Sequence, residues 1–428
     1  MERIYISEIK ENQKVLLKGW VHDIRELGKT KFFLLRDISG IVQCVLKEGV
    51  VKEKNKEEIK LEDVVSLKGT VKKANLTNKE LTIKNLEVEV SDITILNKSE
   101  EIPIQINDKG AKTDLSRRLD FRYLDVRKPK ISSIFKIQST IINSFREFFY
   151  NKGFIEIQTP AIIATSTEGG TELFEVNYFG KKAYLAQSPQ LYKQLMAISL
   201  EKVFSTGAVW RAEKHDTSRH INEIRQLDIE VAFSNDLDVM KYLESVVKFI
   251  MKRVIEKNKK ELEILNIKLD IPKVKYLRYK EAITLLKKNN FKIEEGEDFS
   301  PEAERKLCEM FPNTIIFTYE WPIDLKPFYI WPKDKNKNVS AGFDALFNGL
   351  EISSGGQRIH IPEILEKQIK NKGLDPKNFK WYIDAFKYGA PEHSGWSIGL
   401  ERFTQSILNL ENIREATLFP RDSKRLTP

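Results

Sequence analysis

The sequence predicts an α+β protein in two domains: a small N-terminal β-barrel, then a larger domain whose mainly antiparallel sheet is flanked by helices. Three observations carry this. Residues 13–92 hold only short apolar-polar alternating runs. Residues 131–151 and 236–263 repeat apolar side chains near helical spacing. Strand-like runs then return and close on an Asn-Gly hairpin. A chain of 428 residues exceeds one ordinary core, and 41% hydrophobic content with 24 phenylalanines argues against disorder. The net charge of +9 suits a polyanion such as nucleic acid, although Lys enrichment equally reflects genome composition. Cys44 and Cys308 are the only cysteines, and none of the five histidines forms an HxxxH pair, so a disulfide framework and a structural zinc site are not expected. No apolar run reaches membrane-spanning length and the first twenty residues lack a signal-peptide core, which predicts a cytoplasmic chain with no membrane partner.

Taken in order, the runs QKVLLKGWVHDI, KFFLLRDI, GIVQCVLK, DVVSLKGTVKK and ELTIKNLEVEV give five strands, for which an OB-fold over residues 1–102 is the leading candidate. Phe32 and Gln43 lie on neighbouring strands with Arg25, Lys29, Lys31 and Arg36 close by. An aromatic platform beside positive charge is what single-stranded nucleic acid uses; the plainer alternative is that one of Phe32 and Phe33 fills the barrel, and it suits Phe33. Residues 103–130, rich in charge with Pro and Gly, read as a linker or hinge. A helix over 131–151, carrying Ile134, Ile141, Phe145 and Phe149, opens the second domain at 131–428.

Three constellations in that domain carry chemistry. In FSTGAVWRAEKHDTSRHINEIRQLDIEVAF, two strands flank a polar loop with Lys214, His215, Arg219 and His220, a cationic tip suited to phosphates. Arg211 can grip a phosphate in bidentate fashion, and Glu213 can accept from an exocyclic amine. In AGFDALFNGLEISSGGQRIH, Asn348-Gly349 signals a type I′ turn that sets Phe347 opposite Leu350, Leu346 opposite Glu351 and Asp344 opposite Ser353. Asp344 and Glu351 then share a face, which suits Mg²⁺ held together with phosphate oxygens; a hairpin edge turned to water is the plainer alternative. In GWSIGLERF, Gly395 and Gly399 would let a flat ring approach the backbone, with Arg402 stacked over it.

Together, GFIEIQTP, WRAE with its loop and RH, and GLER resemble motifs 1, 2 and 3 of the class II aminoacyl-tRNA synthetases. The finer features ATSTEGGTELF, LAQSPQLYKQ, EISSGGQR and the ending NIREATLFPRDSKRLTP resemble the aspartyl-tRNA synthetases of archaeal and eukaryotic type (subclass IIb), over essentially the whole chain. Ser397 departs from that family's usual glycine.

The resemblance implies aspartate activation with ATP and Mg²⁺ and transfer to tRNA(Asp), by a homodimer formed through motif 1 around Pro160. It assigns Arg211, Glu351 and Arg402 to catalysis. Glu168, Gln190, Lys193, Arg211, Ser354 and Arg358 would bind aspartate, and Glu351, Ser354 and Asp344 the metal. ATP would meet Arg211, Glu213, Arg219, Glu351, Gly399 and Arg402, together with Ala212, His220, Ile221, Leu400 and Glu401. Strict alternation from the turn favours Ser353 on the carboxylate face where the resemblance points to Ser354. The anticodon would be read by His22, Phe32 and Gln43. In this family a Trp in the GWV-x stretch, with a Lys on a later loop, accompanies strict enzymes; here GWVHD has His22, and NLTNKEL has Asn78 or Lys79 at the later site. That favours a relaxed enzyme charging tRNA(Asn) as well, whose product needs a tRNA-dependent amidotransferase downstream. The runners-up are an asparaginyl-tRNA synthetase and a synthetase-like biosynthetic enzyme without tRNA activity.

Overall fold

The structure, a computed structural model, describes residues 1–28, 30–47, 59–107, 113–165, 173–214, 217–334 and 338–428. Its chain divides into two compact units, Met1–Lys128 and Pro129–Pro428.

In the first unit, β1 (Lys14–Leu27) is long enough to serve two neighbours. Its first half pairs with β4 (Val64–Lys73) and its second half with β2 (Thr30–Arg36). With β3 (Ile41–Lys47) and β5 (Leu86–Asn97) this closes a barrel of order β1-β2-β3-β5-β4, so every edge finds a partner. Alternation fills it: Val15, Leu17, Val21, Phe33, Leu35 and Cys44 point inward. The stretch expected as a linker carries helices in its described part. It holds α1 (Leu115–Asp120) and α2 (Arg122–Asp125), where Arg122 donates to Asp125 at 2.7 Å with both side chains buried, and it groups with the barrel up to Lys128.

The second unit opens with α3 (Pro129–Tyr150), whose Phe145 and Phe149 pack edge-on and tilted against Phe204 and Trp396. Short strands follow, β6 (Ile155–Glu156), β7 (Ile162–Ile163), β8 (Glu175–Tyr178) and β9 (Lys181–Leu185), then α4 (Gln190–Leu200). The long hairpin is β10 (Lys202–Trp210) with β11 (Glu223–Ala232). The helix expected over 236–263 breaks at Asn258 into α5 (Asp236–Lys257) and α6 (Lys259–Leu265). After β12 (Lys273–Arg278), α7 (Tyr279–Lys288), α8 (Pro301–Met310) and β13 (Thr314–Tyr319), the strand-like run FYIWP, residues 328–332, holds only a bridge from Ile330 to Arg358 and the start of β14 (Pro332–Asp334). Then come β15 (Val339–Ser340), β16 (Gly342–Phe347), β17 (Leu350–Gln357), α9 (Pro362–Asn371), α10 (Lys380–Ala385), β18 (His393–Gly399) and α11 (Leu400–Ile407).

Eight strands form one sheet of order β12-β13-β16-β17-β18-β11-β10-β6, antiparallel except at its two ends. Its central hairpin turns where expected: Asn348 and Gly349 have φ of 48° and 77°, the two positive angles of a type I′ loop. The register departs from strict alternation, because a bulge follows the pair Leu346–Glu351 and sets Asp344 opposite Ser354 rather than Ser353. Among the described residues no helix is long and apolar enough to cross a membrane.

Candidate active site

The central strands lay down two rows of cross-strand neighbours on one face. Asp344, Ser354, Ser397 and Asp228 form the first; Gly342, Gly356, Gly395 and Glu230 form the second. The bulge gives Glu351 and Ser354, three residues apart, the same outlook, which unbroken alternation would deny them. Above these rows lies a cavity of about 390 Å³, of a size that holds a small ligand. The glycine row makes room for charge. A Cβ at Gly395 would lie 2.2 Å from Glu230 Oε2, so this glycine serves the carboxylate and not a flat ring. Gly399, by contrast, lines the cavity.

At one end of the cavity two buried cations meet two buried carboxylates. Lys193 Nζ donates to Asp228 Oδ1 at 2.8 Å and to the Trp396 carbonyl at 3.2 Å, and Glu230 Oε2 lies 3.6 Å away. Arg358 forks onto Glu230 at 2.9 and 3.3 Å. None of the four side chains is more than 3% exposed, so each charge is tolerated only because its partners are in place. The cations were expected; Asp228 and Glu230 were not. Their signal in the sequence is two acids at alternate positions of the otherwise apolar LDIEVA. Gln190 stands at the same end, while Glu168 lies outside the described residues.

At the other end, Arg211, Glu213, Arg219, His220, Ile221 and Arg402 line the wall. Asn222, unforeseen, ties down the first two: its Nδ2 donates to the carbonyls of Arg211 at 2.7 Å and Glu213 at 2.9 Å, and its own carbonyl accepts from the Arg211 amide. Arg219 donates to Glu304 at 3.0 Å and to the Gly349 carbonyl, and Arg402 reaches the Glu351 carbonyl at 3.3 Å. Burial and the nearby Glu351 push the Glu304 carboxyl up to about 7. Burial and Asp344 also hold the Glu351 carboxyl above the usual carboxylate range, which is the condition of a group that gains from a cation.

The metal expectation divides on this geometry. Glu351 and the exposed Ser354 face the cavity and fit a divalent cation shared with phosphate oxygens. Asp344 is buried and held by Lys326 at 2.5 Å, close enough to Glu351 to raise its carboxyl but not itself on the cavity lining. Three ATP expectations also miss the cavity wall. Ala212 is not on it, Leu400 is buried, and Glu401 turns back to accept from the Arg225 amide at 3.0 Å. Ser397 reaches the cavity, where its buried Oγ has no partner.

On the barrel, Phe32 and Gln43 share the outer face as diagonal neighbours, opposite Arg25 and beside Glu87, to which Gln43 donates at 2.9 Å. Phe33 points inward at 1% exposure. His22 is buried beside Arg36, which alternation along β2 sets on the same face as Phe32. It sits at the bulge between Val21 and Asp23, 2% exposed, with Nδ1 accepting from Arg36 at 2.7 Å, and Arg36 in turn forks onto Glu62.

Comparison with known proteins agrees with both halves of this picture. Residues 15–96 match the OB-fold nucleic acid binding domain family, and residues 114–423 match the family of class II tRNA synthetases (D, K and N). The chain is 45% identical to an aspartate--tRNA(Asp/Asn) ligase of Methanocaldococcus jannaschii, over 99% of this chain and 98% of that protein. It is 44% identical to an aspartate--tRNA(Asp) ligase of Pyrococcus furiosus, over 99% of each. The asparaginyl-tRNA synthetase of Pyrococcus horikoshii, solved with asparaginyl-adenylate, superposes with a TM-score of 0.93 at 34% identity over the whole of both chains.

Proposed function

The chain belongs to the class II tRNA synthetases of the D, K and N group, and from that premise we propose that it activates L-aspartate with ATP and transfers it to tRNA. Because an asparagine enzyme shares the fold, the choice of amino acid rests on the pocket. The observation that carries it is the buried Lys193–Asp228–Glu230–Arg358 cluster. Aspartate brings a side-chain carboxylate to the cations and an ammonium to the acceptors. An asparagine amide cannot repay a buried cation, and a lysine side chain would meet Lys193 and Arg358 as like charges.

In the reaction, an aspartate α-carboxylate oxygen attacks the α-phosphorus of ATP in line. A bond forms there as the bond to the bridging oxygen breaks, and pyrophosphate leaves. The protein aids this by position and charge. Arg211, pinned by Asn222, holds the α-phosphate and meets the charge that builds on it. Arg219 and Arg402 neutralise the far end of the triphosphate, Glu213 accepts from the adenine amine, and the ring lies against Gly399. Glu351 with Ser354 would hold Mg²⁺, which when bound neutralises phosphate oxygens. Phe32 and Gln43 offer a stacking face and a polar reader to an anticodon base. The chain acts as a homodimer through the segment around Pro160, in the cytoplasm where its tRNA partner is found. If it also charges tRNA(Asn), an amidotransferase takes up the product.

Pyrophosphate exchange with single amino acids tests the reading. Exchange should depend on aspartate and divalent metal and be negligible with asparagine or lysine; comparable exchange with asparagine would overturn it.

A further inference from the structure

Behind the amino-acid end of the cavity runs a chain of hydrogen bonds that the proposed chemistry does not use. His393 Nδ1 lies 3.0 Å from the Pro391 carbonyl, and its Nε2 lies 2.9 Å from Gln194 Nε2. Gln194 Oε1 accepts from Gln190 Nε2 at 2.8 Å and from the Tyr382 hydroxyl at 2.8 Å. His393 and Gln194 are fully buried and Gln190 is 5% exposed.

The direction of every bond in this chain is fixed from its far end. A backbone carbonyl can only accept, so Nδ1 of His393 must carry the proton. In the neutral ring Nε2 can then only accept, so Gln194 must turn its amine towards it and its oxygen towards Gln190. Gln190 must in turn offer its amine to Gln194, which leaves its oxygen for the cavity. Burial, reinforced by Arg358 and His360 and opposed by Glu230 and the Pro391 carbonyl, depresses the imidazole to about 4, so the neutral ring persists at working pH.

We propose that His393, acting through Gln194, is a positioning residue that fixes the Gln190 amide with its oxygen towards the substrate ammonium. This rests on the reading that Gln190 meets aspartate. Without the chain the Gln190 amide could present either face, and an amine turned towards an ammonium repels it. The device therefore selects for a positively charged group at that point of the substrate, and it is built from side chains that never touch the substrate.

The test compares L-aspartate with succinate, which carries both carboxylates and no ammonium. Gln194→Met and His393→Leu each break the chain; Gln194→Glu, which is isosteric, still accepts from Gln190 and can draw a proton onto His393 Nε2. In pyrophosphate exchange, both chain-breaking variants should raise the KM for aspartate about tenfold or more, the scale of a hydrogen bond to a charged group, while the inhibition constant of succinate and the KM for ATP move less than about twofold. Gln194→Glu should keep its aspartate KM within about threefold of wild type. A parallel weakening of aspartate and succinate, at an unchanged unfolding temperature, would reveal a merely structural role and overturn the proposal. So would an unchanged aspartate KM in the chain-breaking variants, or a loss in Gln194→Glu equal to that in Gln194→Met. Absence of aspartate-dependent exchange in the wild-type protein would instead remove the reading on which it rests.

Discussion

A single side chain, Lys193, shows how specificity and stability are tied at this site. Its ammonium holds Asp228 at 2.8 Å and faces Glu230, in a place where no carboxylate could stay ionised alone. Lys193→Leu should therefore fail twice: aspartate exchange should fall by at least about a hundredfold, and the fold should lose about 3–5 kcal/mol through the orphaned acids. Adding Asp228→Leu should restore much of the stability and none of the exchange, as read by denaturant unfolding beside kinetics. Wild-type exchange by the single variant would remove Lys193 from substrate recognition. Glu304 permits a second test. Its carboxyl titrates near 7 in the fold against an ordinary value of 4.5, so between those values the folded protein keeps a proton that the unfolded chain has lost. Stability contributed there falls as pH rises through that window, by at most about 1.4 kcal/mol per unit. His393, depressed from 6.5 to about 4, acts with the opposite sign, so only a difference isolates Glu304. Glu304→Gln should gain stability over wild type progressively from about pH 5 to about pH 8. A constant offset across that range would contradict the assignment.

Among the elements, the β16–β17 hairpin and the outer face of the barrel show what alternation can and cannot reveal. The turn was legible because Asn-Gly demands positive φ locally, and the pairs nearest to it followed. The bulge was not, because nothing in LEISS marks Ile352 as the residue at which the count slips. On the barrel, period-two reasoning separated Phe32 from Phe33 correctly, since β2 must send one inward. It could not see that a bulge in β1 would bury His22 against Arg36. Phe32→Ala should weaken tRNA charging by about 1–3 kcal/mol, the worth of one stacked base, and leave tRNA-independent exchange intact. Equal losses in both assays would point to a folding defect in the barrel.

Across the whole molecule, the two-domain plan and the order of its motifs were readable because helix and strand periods are local properties of the chain. What stayed hidden depends on partners distant in sequence. Asp228 and Glu230 gain meaning only once Lys193 and Arg358 are folded against them, and the segment 103–130 looked like a linker until Arg122 and Asp125 buried one another. The same limit governs which tRNAs are charged. Relatives named for tRNA(Asp) alone and for both tRNAs are 44% and 45% identical, so overall likeness does not decide. The anticodons GUC and GUU share their first two bases, and discrimination therefore needs a feature that senses the third. In the present fold the side chain after Gly19-Trp20-Val21 is a histidine, 2% exposed and bonded to Arg36, which presents less steric bulk than a tryptophan would. We therefore expect relaxed charging. Transcripts of both tRNAs should be aminoacylated with efficiencies that differ by less than about a hundredfold, or roughly 2.7 kcal/mol. A larger penalty for the GUU transcript would mean that another group on the barrel reads the third base, and His22→Trp would then leave the ratio unchanged where relaxed reading requires it to rise.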